Sequence, residues 1–247
     1  MDELIKKTAQ IIKKAKFGVA FTGAGISVES GIPPFRGPEG LWSKYNPRVL
    51  DINYFHSNPL DAWKVIREIF YVFFGKAKPN EGHKVLAKWE NLGYIKSVIT
   101  QNIDNLHQEA GSKNIYEFHG TANTLACTKC GKKHESANID LNKLPPKCDK
   151  CGGILKPDFI FFGEGIPVEA NNKSFADAKK SDVFIVIGTT GEVMPASMLP
   201  FTAKEHGAII IEINPEPSQF TYQITDIHLK GKAGEILPEI DRNIDLL

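Results

Sequence analysis

The chain has 247 residues, 42% of them hydrophobic and 24% charged, with a formal net charge of +1. That length supports one large core, or a core carrying a small insertion domain. The composition is that of an ordinary soluble globular protein, and a charge so near zero gives no case for a nucleic-acid or membrane partner.

The segment Met1–Lys7 has no apolar stretch after a basic start, so no signal peptide is expected. No run approaches the ~20 apolar residues of a membrane span. All four cysteines fall between Cys127 and Cys151. Without an export signal, such clustering favours metal binding over disulfides. A soluble, cytoplasmic protein is the expectation.

Leu4, Ile5, Ile11, Ile12 and Ala15 recur at helical spacing, which predicts an amphipathic helix over residues 2–15. The apolar run Phe17 to Phe21 reads as a buried strand entering the tight loop Thr22-Gly23-Ala24-Gly25. Pro79-Asn80 can start a helix carrying Val85, Leu86 and Trp89. Strands are predicted at 95–100, 114–118, 159–162, 183–187 and 208–213. Helical segments are predicted near 173–180, 195–205 and 232–242. Strands alternating with helices predict an α/β fold with a doubly wound parallel sheet, Rossmann-like in kind.

Two stretches interrupt that alternation. Residues 32–78 hold many aromatics, including Phe35, Trp42, Tyr45, Phe55 and Trp63, but no clear buried strand. Residues 121–157 hold the cysteines and a Leu144-Pro145-Pro146 turn. The expected division is a nucleotide-binding domain of 1–31, 79–120 and 158–247. A smaller domain would combine a helical insertion (32–78) with a zinc-binding insertion (121–157).

Cys127-Thr128-Lys129-Cys130 and Cys148-Asp149-Lys150-Cys151 are C-x-x-C pairs separated by 17 residues. Knuckles so spaced can set four thiolates tetrahedrally around one zinc ion. Gly131 and Gly152 each follow a second cysteine, where a knuckle turns tightly. Four thiolates leave no open coordination position, so the ion is read as structural. A nucleic-acid-binding ribbon is the rival reading, disfavoured by the surrounding α/β pattern.

Gly23-Ala24-Gly25 follows a predicted strand, where glycines let the backbone approach a pyrophosphate. Alone that signal is weak. It gains from Thr100-Gln101-Asn102-Ile103-Asp104, His119-Gly120, Gly188-Thr189-Thr190 and Glu212-Ile213-Asn214, each at the C-terminal end of a predicted strand. Open α/β sheets bind ligands along that edge.

Taken together, Gly23-Ala24-Gly25-Ile26-Ser27, Gly31-Ile32-Pro33-Pro34-Phe35-Arg36-Gly37, Thr100-Gln101-Asn102-Ile103-Asp104, Leu106-His107, His119-Gly120, the paired C-x-x-C and Phe162-Gly163-Glu164 resemble the sirtuin family in order and spacing, over nearly the whole chain. The resemblance implies an NAD-dependent protein-lysine deacetylase. In that chemistry the acyl oxygen of a modified lysine attacks the nicotinamide ribose and nicotinamide leaves. The acyl group then passes to the ribose, giving free lysine and O-acetyl-ADP-ribose.

The resemblance assigns His119 as general base, and an imidazole titrating near neutrality suits that task. It assigns Asn102 to orienting the ribose and a water, and Asp104 to the nicotinamide carboxamide with Ile103 beside it. His107 is given a structural or ribose-orienting part. Gly23, Ala24, Gly25 and Gln101 belong to the implied cofactor loops. Ser27 and Arg36 would contact phosphate or ribose, and Phe35 would cover the reacting ribose. Gly188, Thr189, Thr190, Asn214 and Glu216 would border the adenosine end, with Lys232 and Ala233 near adenine. Ile160, Phe162, Gly163 and Glu164 resemble the strand that pairs with substrate, and Glu192 and Val193 the strand on its other side. The substrate would be acetyl-lysine in a protein or peptide, and the chain is expected to be a monomer.

Some positions depart from the family pattern. Pro34 stands where many relatives carry Asp or Thr, Thr190 replaces Ser, and Lys156 replaces an Arg read as away from the chemistry. Relatives that remove succinyl or malonyl groups carry a Tyr and an Arg where Ile66 and Ile69 align, so a neutral acyl group is expected. The alternatives are a mono-ADP-ribosyltransferase on the same scaffold and a non-catalytic zinc-ribbon module binding nucleotide or protein.

Overall fold

A computed structural model describes residues 1–37 and 40–246. Its frame is a six-stranded sheet of β1 (Gly18–Thr22), β2 (Ile95–Thr100), β3 (Ile115–Glu117), β7 (Val183–Ile187), β8 (Ile209–Asn214) and β9 (Ile227–Lys230). The spatial order is β3-β2-β1-β7-β8-β9 and every pairing is parallel. The connection order reverses between β1 and β7, so a crevice opens beyond their carboxyl ends. A second sheet of three antiparallel strands holds β4 (Gly120–Cys127), β5 (Lys133–Glu135) and β6 (Leu155–Phe159).

Strand alternation sends neighbouring side chains of β1 to opposite faces. Ala20, with Val98 and Ile185, packs under α1 (Asp2–Lys14), α5 (Glu81–Leu92) and α9 (Ala233–Asp245). Val19 and Phe21, with Ile99 and Phe184, pack under α7 (Val168–Lys180) and α8 (Met198–Glu205). Helices on both faces make β1 and β7 buried along their whole length, which is why they read as unbroken apolar runs.

The third core belongs to the insertions. It joins α2 (Leu41–Lys44), α3 (Ile52–Ser57), α4 (Pro59–Ile66) and a π-helical turn over Arg67–Phe73 to the three-stranded sheet. Trp63 is fully buried there and its indole N–H donates to the Leu155 carbonyl at 2.8 Å. Ile103 and Leu106, the latter opening α6 (Leu106–Ala110), reach into this core from the edge of the large sheet.

The structure corrects one expected strand and adds two elements that were not expected. The predicted strand at 159–162 ends at Phe159 and belongs to the antiparallel sheet, where Phe159 pairs with Gly120. Phe159 and Phe161 fill the insertion core while Phe162 is exposed, so the run was apolar without being a strand of the main sheet. The turn after β1 enters a 3₁₀ helix over Ala24–Ser30, an element not predicted. The edge strand β9 has no long apolar run, since His228 and Lys230 alternate with Ile227 and Leu229.

Asn80 ties helix to sheet edge. Its side-chain oxygen accepts the Gly82 N–H at 2.9 Å, capping α5. Its amide donates to the Ile26 carbonyl and the Ser30 hydroxyl in the turn after β1. His83, on the first turn of α5, lies edge-on to His107 with ring centroids 4.9 Å apart. Burial lowers the His83 pKa to about 4 and holds His107 well below 6.5. Both folded values lie below that of an unfolded histidine, so stability is full above pH 6.5 and is lost as pH falls. His83 alone then costs about 2 kcal/mol between pH 6.5 and 5. Urea melts at pH 7 and pH 5 check this. The stability difference between the two pH values shrinks by about that amount in His83→Gln, and an unchanged difference contradicts the burial argument.

Candidate active site

Beyond the ends of β1 and β7 two glycine turns interlock. The Gly23 N–H donates to the Ile187 carbonyl and the Gly25 N–H to the Gly188 carbonyl, at 2.9 and 2.8 Å. A Cβ on Gly25 would stand 2.6 Å from Gly188 Cα, and one on Gly23 2.8 Å from the Gly188 carbonyl oxygen. Gly188 itself has φ +62. These glycines are therefore required by backbone meeting backbone, whatever they offer to a ligand.

A cleft of about 860 Å³ starts at this junction and runs between the large sheet and the insertions. From the first turn Gly23, Ala24 and Gly25 line it, and Phe35 and Arg36 close over it from the following loop. The loop after β2 adds Gln101, Asn102 and Ile103, and the end of β3 adds His119. The far end holds Gly188, Thr189, Thr190, Asn214 and Glu216, with Lys232 and Ala233 at the start of α9. Ile160, Phe162, Gly163, Glu164 and Val193 line the mouth on the insertion side.

Three expected site residues do not line the cleft. Ser27 is fully buried and donates its hydroxyl to Asp104 Oδ2 at 2.7 Å. Asp104 also accepts the Leu106 N–H at 3.1 Å, and burial raises its pKa against those hydrogen bonds. The pair sits behind Asn102, whose Nδ2 donates to the Gly23 carbonyl at 3.1 Å and to Ser27 Oγ at 3.2 Å. Both amide protons of Asn102 are thus used, leaving Oδ1 as its free acceptor in the cleft. Glu192 instead meets Arg36 at 3.5 Å across the mouth, both side chains half-exposed. Residues 191–193 form no strand, because no neighbouring chain segment pairs with them.

His119 follows β3 where the chain crosses into the second sheet. Gly120 makes that crossing at φ +75, and a Cβ there would meet the Asp158 carbonyl oxygen at 2.3 Å. His119 Nδ1 lies 3.1 Å from the Gln101 carbonyl oxygen. A carbonyl only accepts, so Nδ1 carries the proton and Nε2 keeps its lone pair. Burial lowers the His119 pKa, and the Gln101 bond opposes part of that shift. The imidazole is therefore held neutral, with one basic nitrogen unengaged.

The acyl-determining positions expected at Ile66 and Ile69 are fully buried and off the cleft. Trp42, Leu50, Phe70, Phe159 and Phe161 line it instead. Trp42 was visible only as a core aromatic. Phe70 carried no signal, since the π-helical turn that presents it adds a residue to the ordinary helical period. Lys156, expected to lie away from the chemistry, bonds directly to the cleft residue Glu164 at 2.9 Å.

The four cysteines converge at the far edge of the second sheet. Cys127 and Cys151 Sγ are 3.5 Å apart and Cys130 and Cys148 Sγ 3.8 Å, too far for a disulfide bond. Tetrahedral Zn–S bonds of about 2.3 Å place sulfurs about 3.8 Å apart, so the set fits a zinc ion. Each knuckle is closed by a backbone bond, Gly131 N–H to the Cys127 carbonyl and Gly152 N–H to the Cys148 carbonyl. Cys148→Ser should abolish zinc retention, measured by elemental analysis of the purified protein, and lower the thermal midpoint by on the order of 10 °C. Full zinc retention in that variant would remove Cys148 from the ligand set.

Fold and cleft together define a doubly wound α/β protein with a ligand crevice at its switch point and a cysteine-knuckle insertion. The model of the Sir2 family matches residues 23–195. An NAD-dependent protein deacylase of Aeropyrum pernix is 44% identical over 246 residues, covering 97% of both chains. One from Pyrococcus furiosus is 45% identical over 251 residues, covering 98% of both. A Sir2 homologue–NAD complex superposes with a TM-score of 0.90 at 40% identity, covering 97% of this chain and 93% of the other. A Sir2–p53 peptide–NAD⁺ structure gives 0.90 at 33% identity, covering 98% and 99%. The chain belongs to the Sir2 family.

Proposed function

We propose that this protein is an NAD-dependent protein-lysine deacetylase, releasing nicotinamide, deacetylated lysine and O-acetyl-ADP-ribose. The observation that carries the reading is His119 in a single tautomer, its free Nε2 in the same cleft as the free Oδ1 of Asn102. Relatives named NAD-dependent protein deacylases and deacetylases, aligned along almost the entire chain, support it. So does a Sir2 structure holding deacetylated p53 peptide with 3′-O-acetyl-ADP-ribose, 34% identical and with a TM-score of 0.91.

NAD supplies the ADP-ribosyl acceptor and nicotinamide as leaving group. The N–H groups of Gly23, Gly25 and Gly188 are spent within the junction, so the phosphates of NAD meet the Ala24 N–H and the close backbone surface that the glycines leave bare, with Arg36 as the nearby cation. Thr189, Thr190, Asn214 and Glu216 hold the adenosine half, and Lys232 and Ala233 lie beside the adenine. Asn102 Oδ1 orients a ribose hydroxyl or a water. Ile103 packs beside the nicotinamide, and Asp104 acts through Ser27 and Asn102. Phe35, packed at a tilt against Trp42 with ring centroids 5.5 Å apart, screens the reacting carbon from water. His119 Nε2 takes the proton of a ribose hydroxyl as that oxygen attacks the acyl carbon.

Substrate enters from the side of Ile160, Phe162, Gly163 and Glu164, with Val193 and Glu192 opposite. An extended peptide laid between these segments gains main-chain hydrogen bonds. The inner wall of Trp42, Leu50, Phe70, Phe159 and Phe161 is apolar, and the Lys156 ammonium behind Phe161 is spent on Glu164 and two carbonyls, so a carboxylate there would be left unpaired. The acyl group is therefore neutral. The larger unit contains 1–31, 79–120 and most of 158–247, and the insertions 32–78 and 121–157 with β6 form the smaller one. The zinc set holds the smaller unit together. We place the protein in the cytoplasm as a monomer; among the described residues no helix is long and apolar enough to cross a membrane.

Mass spectrometry of products after incubation with NAD and acetyl- or succinyl-lysine peptides tests the reading. Deacetylated peptide and O-acetyl-ADP-ribose are expected, falling at least about 100-fold in His119→Ala. ADP-ribose attached to protein without deacetylated peptide would establish the transferase instead. Succinyl removal faster than acetyl removal would overturn the neutral acyl pocket. Because the folded His119 pKa is lowered, the acid limb of kcat/KM should lie below pH 6.5. A limb above that value would mean that another group is titrating.

A further inference from the structure

Six of the ten backbone N–H and carbonyl groups from Ile160 to Glu164 are bonded within the protein, and among the described residues the open ones are both groups of Gly163 and the carbonyls of Ile160 and Glu164. The Ile160 N–H donates to the His119 carbonyl at 2.8 Å. The Phe162 N–H donates to the Leu50 carbonyl and the Phe162 carbonyl accepts the Ile52 N–H, at 2.8 and 3.1 Å. The Glu164 N–H returns to the Phe161 carbonyl at 3.0 Å, closing a turn whose apex is Gly163 at φ +94. Among the described residues, the N–H and carbonyl of Gly163 have no partner in the protein.

That turn is closed a second time through side chains. Glu164 Oε2 accepts the Phe161 N–H at 2.8 Å and the Lys156 ammonium at 2.9 Å. Lys156 rises from β6 with its side chain only 12% exposed, and it also donates to the Pro157 and Phe159 carbonyls. Its Nζ lies 4.2 Å from the centre of the Phe161 ring. All three ammonium protons are thus used, and no donor remains to be satisfied by a ligand. Glu164 likewise commits an oxygen to the chain itself, so its charge is not available as a free anchor for substrate.

We infer that Lys156 is a positioning residue for peptide substrate, acting through Glu164 to fix the turn that presents the free Gly163 N–H and carbonyl to the cleft. The inference rests on the deacetylase reading and adds to it a residue outside the cleft lining. A peptide pairing by backbone needs its donors and acceptors in one register. Losing the ammonium leaves a half-buried carboxylate free to swing out, taking its bond to Phe161 with it. The Gly163 apex then loosens, while Asn102 and the adenosine end are untouched.

The test compares wild type, Lys156→Met and Lys156→Arg for binding of a fluorescein-labelled acetyl-lysine peptide, by anisotropy, and for the KM values of peptide and NAD. Lys156→Met should weaken peptide binding and raise peptide KM about 10-fold or more, as expected for a charge-assisted bond. Its NAD KM should stay within about 2-fold. Lys156→Arg, which keeps the charge and several donors, should recover most of the loss. Unchanged peptide affinity in Lys156→Met overturns the inference, as does an equal rise in both KM values, which marks a general loss of structure. Wild type that neither binds nor deacetylates the peptide overturns the deacetylase reading itself.

Discussion

Everything at the site depends on the approach of two backbones, the turn after β1 and the turn after β7. They meet where the sheet reverses its order of connection, at a distance that leaves no room for a Cβ on Gly23, Gly25 or Gly188. The contact decides where the 3₁₀ helix starts and presents the Gly23 carbonyl to Asn102. It also brings Thr189 within 3.0 Å of the Gln101 amide. Three strand ends are thereby locked into one wall before any ligand arrives, an arrangement that lowers the ordering cost of binding.

The second wall is joined to the first through His119. Its ring is oriented by Gln101 on the sheet side, and its carbonyl receives Ile160 from the insertion side. The proposed base and the segment beside the cleft mouth therefore share a residue. A shift of either wall moves both, and geometry at the reacting centre tolerates little such movement. The buried carboxylate of Glu212 plays a comparable part at the other end. It accepts from Asn214, Thr221 and Thr225, which fixes the loop behind the far end of the cleft.

The fold was legible where burial is complete. Val183–Ile187 reads as a strand because both its faces are covered, and the paired cysteines read as a metal site because their spacing is itself the geometry. Edge strands were harder. Ile227–Lys230 is covered on one side only and is too short to show a period. Within the site, the motifs located the loops but not the depth of each side chain in them. Ser27, Asp104 and Asn102 are equally polar in sequence, yet only Asn102 reaches the cleft, because the first two satisfy one another. Phe70 was hidden by a helical irregularity that ordinary spacing does not count, and Lys156 by a partner eight positions away in an unrelated turn.

The position of β1 has a consequence for how the chain acquires this structure. It is the first strand in sequence and one of the two central strands in space, flanked by β2 and by the distant β7. During synthesis one edge of β1 stays open until residues 183–187 have been made, and the partly made sheet exposes apolar side chains on both faces. Such late, non-local pairing is slow and leaves an intermediate prone to associate with its own kind. The insertion core draws only on residues made before β7, Ile103, Leu106, Phe159 and Phe161 included, so it can form while the sheet still waits for its fourth strand. The catalytic cleft, which needs both, is then among the last features to exist on a newborn chain.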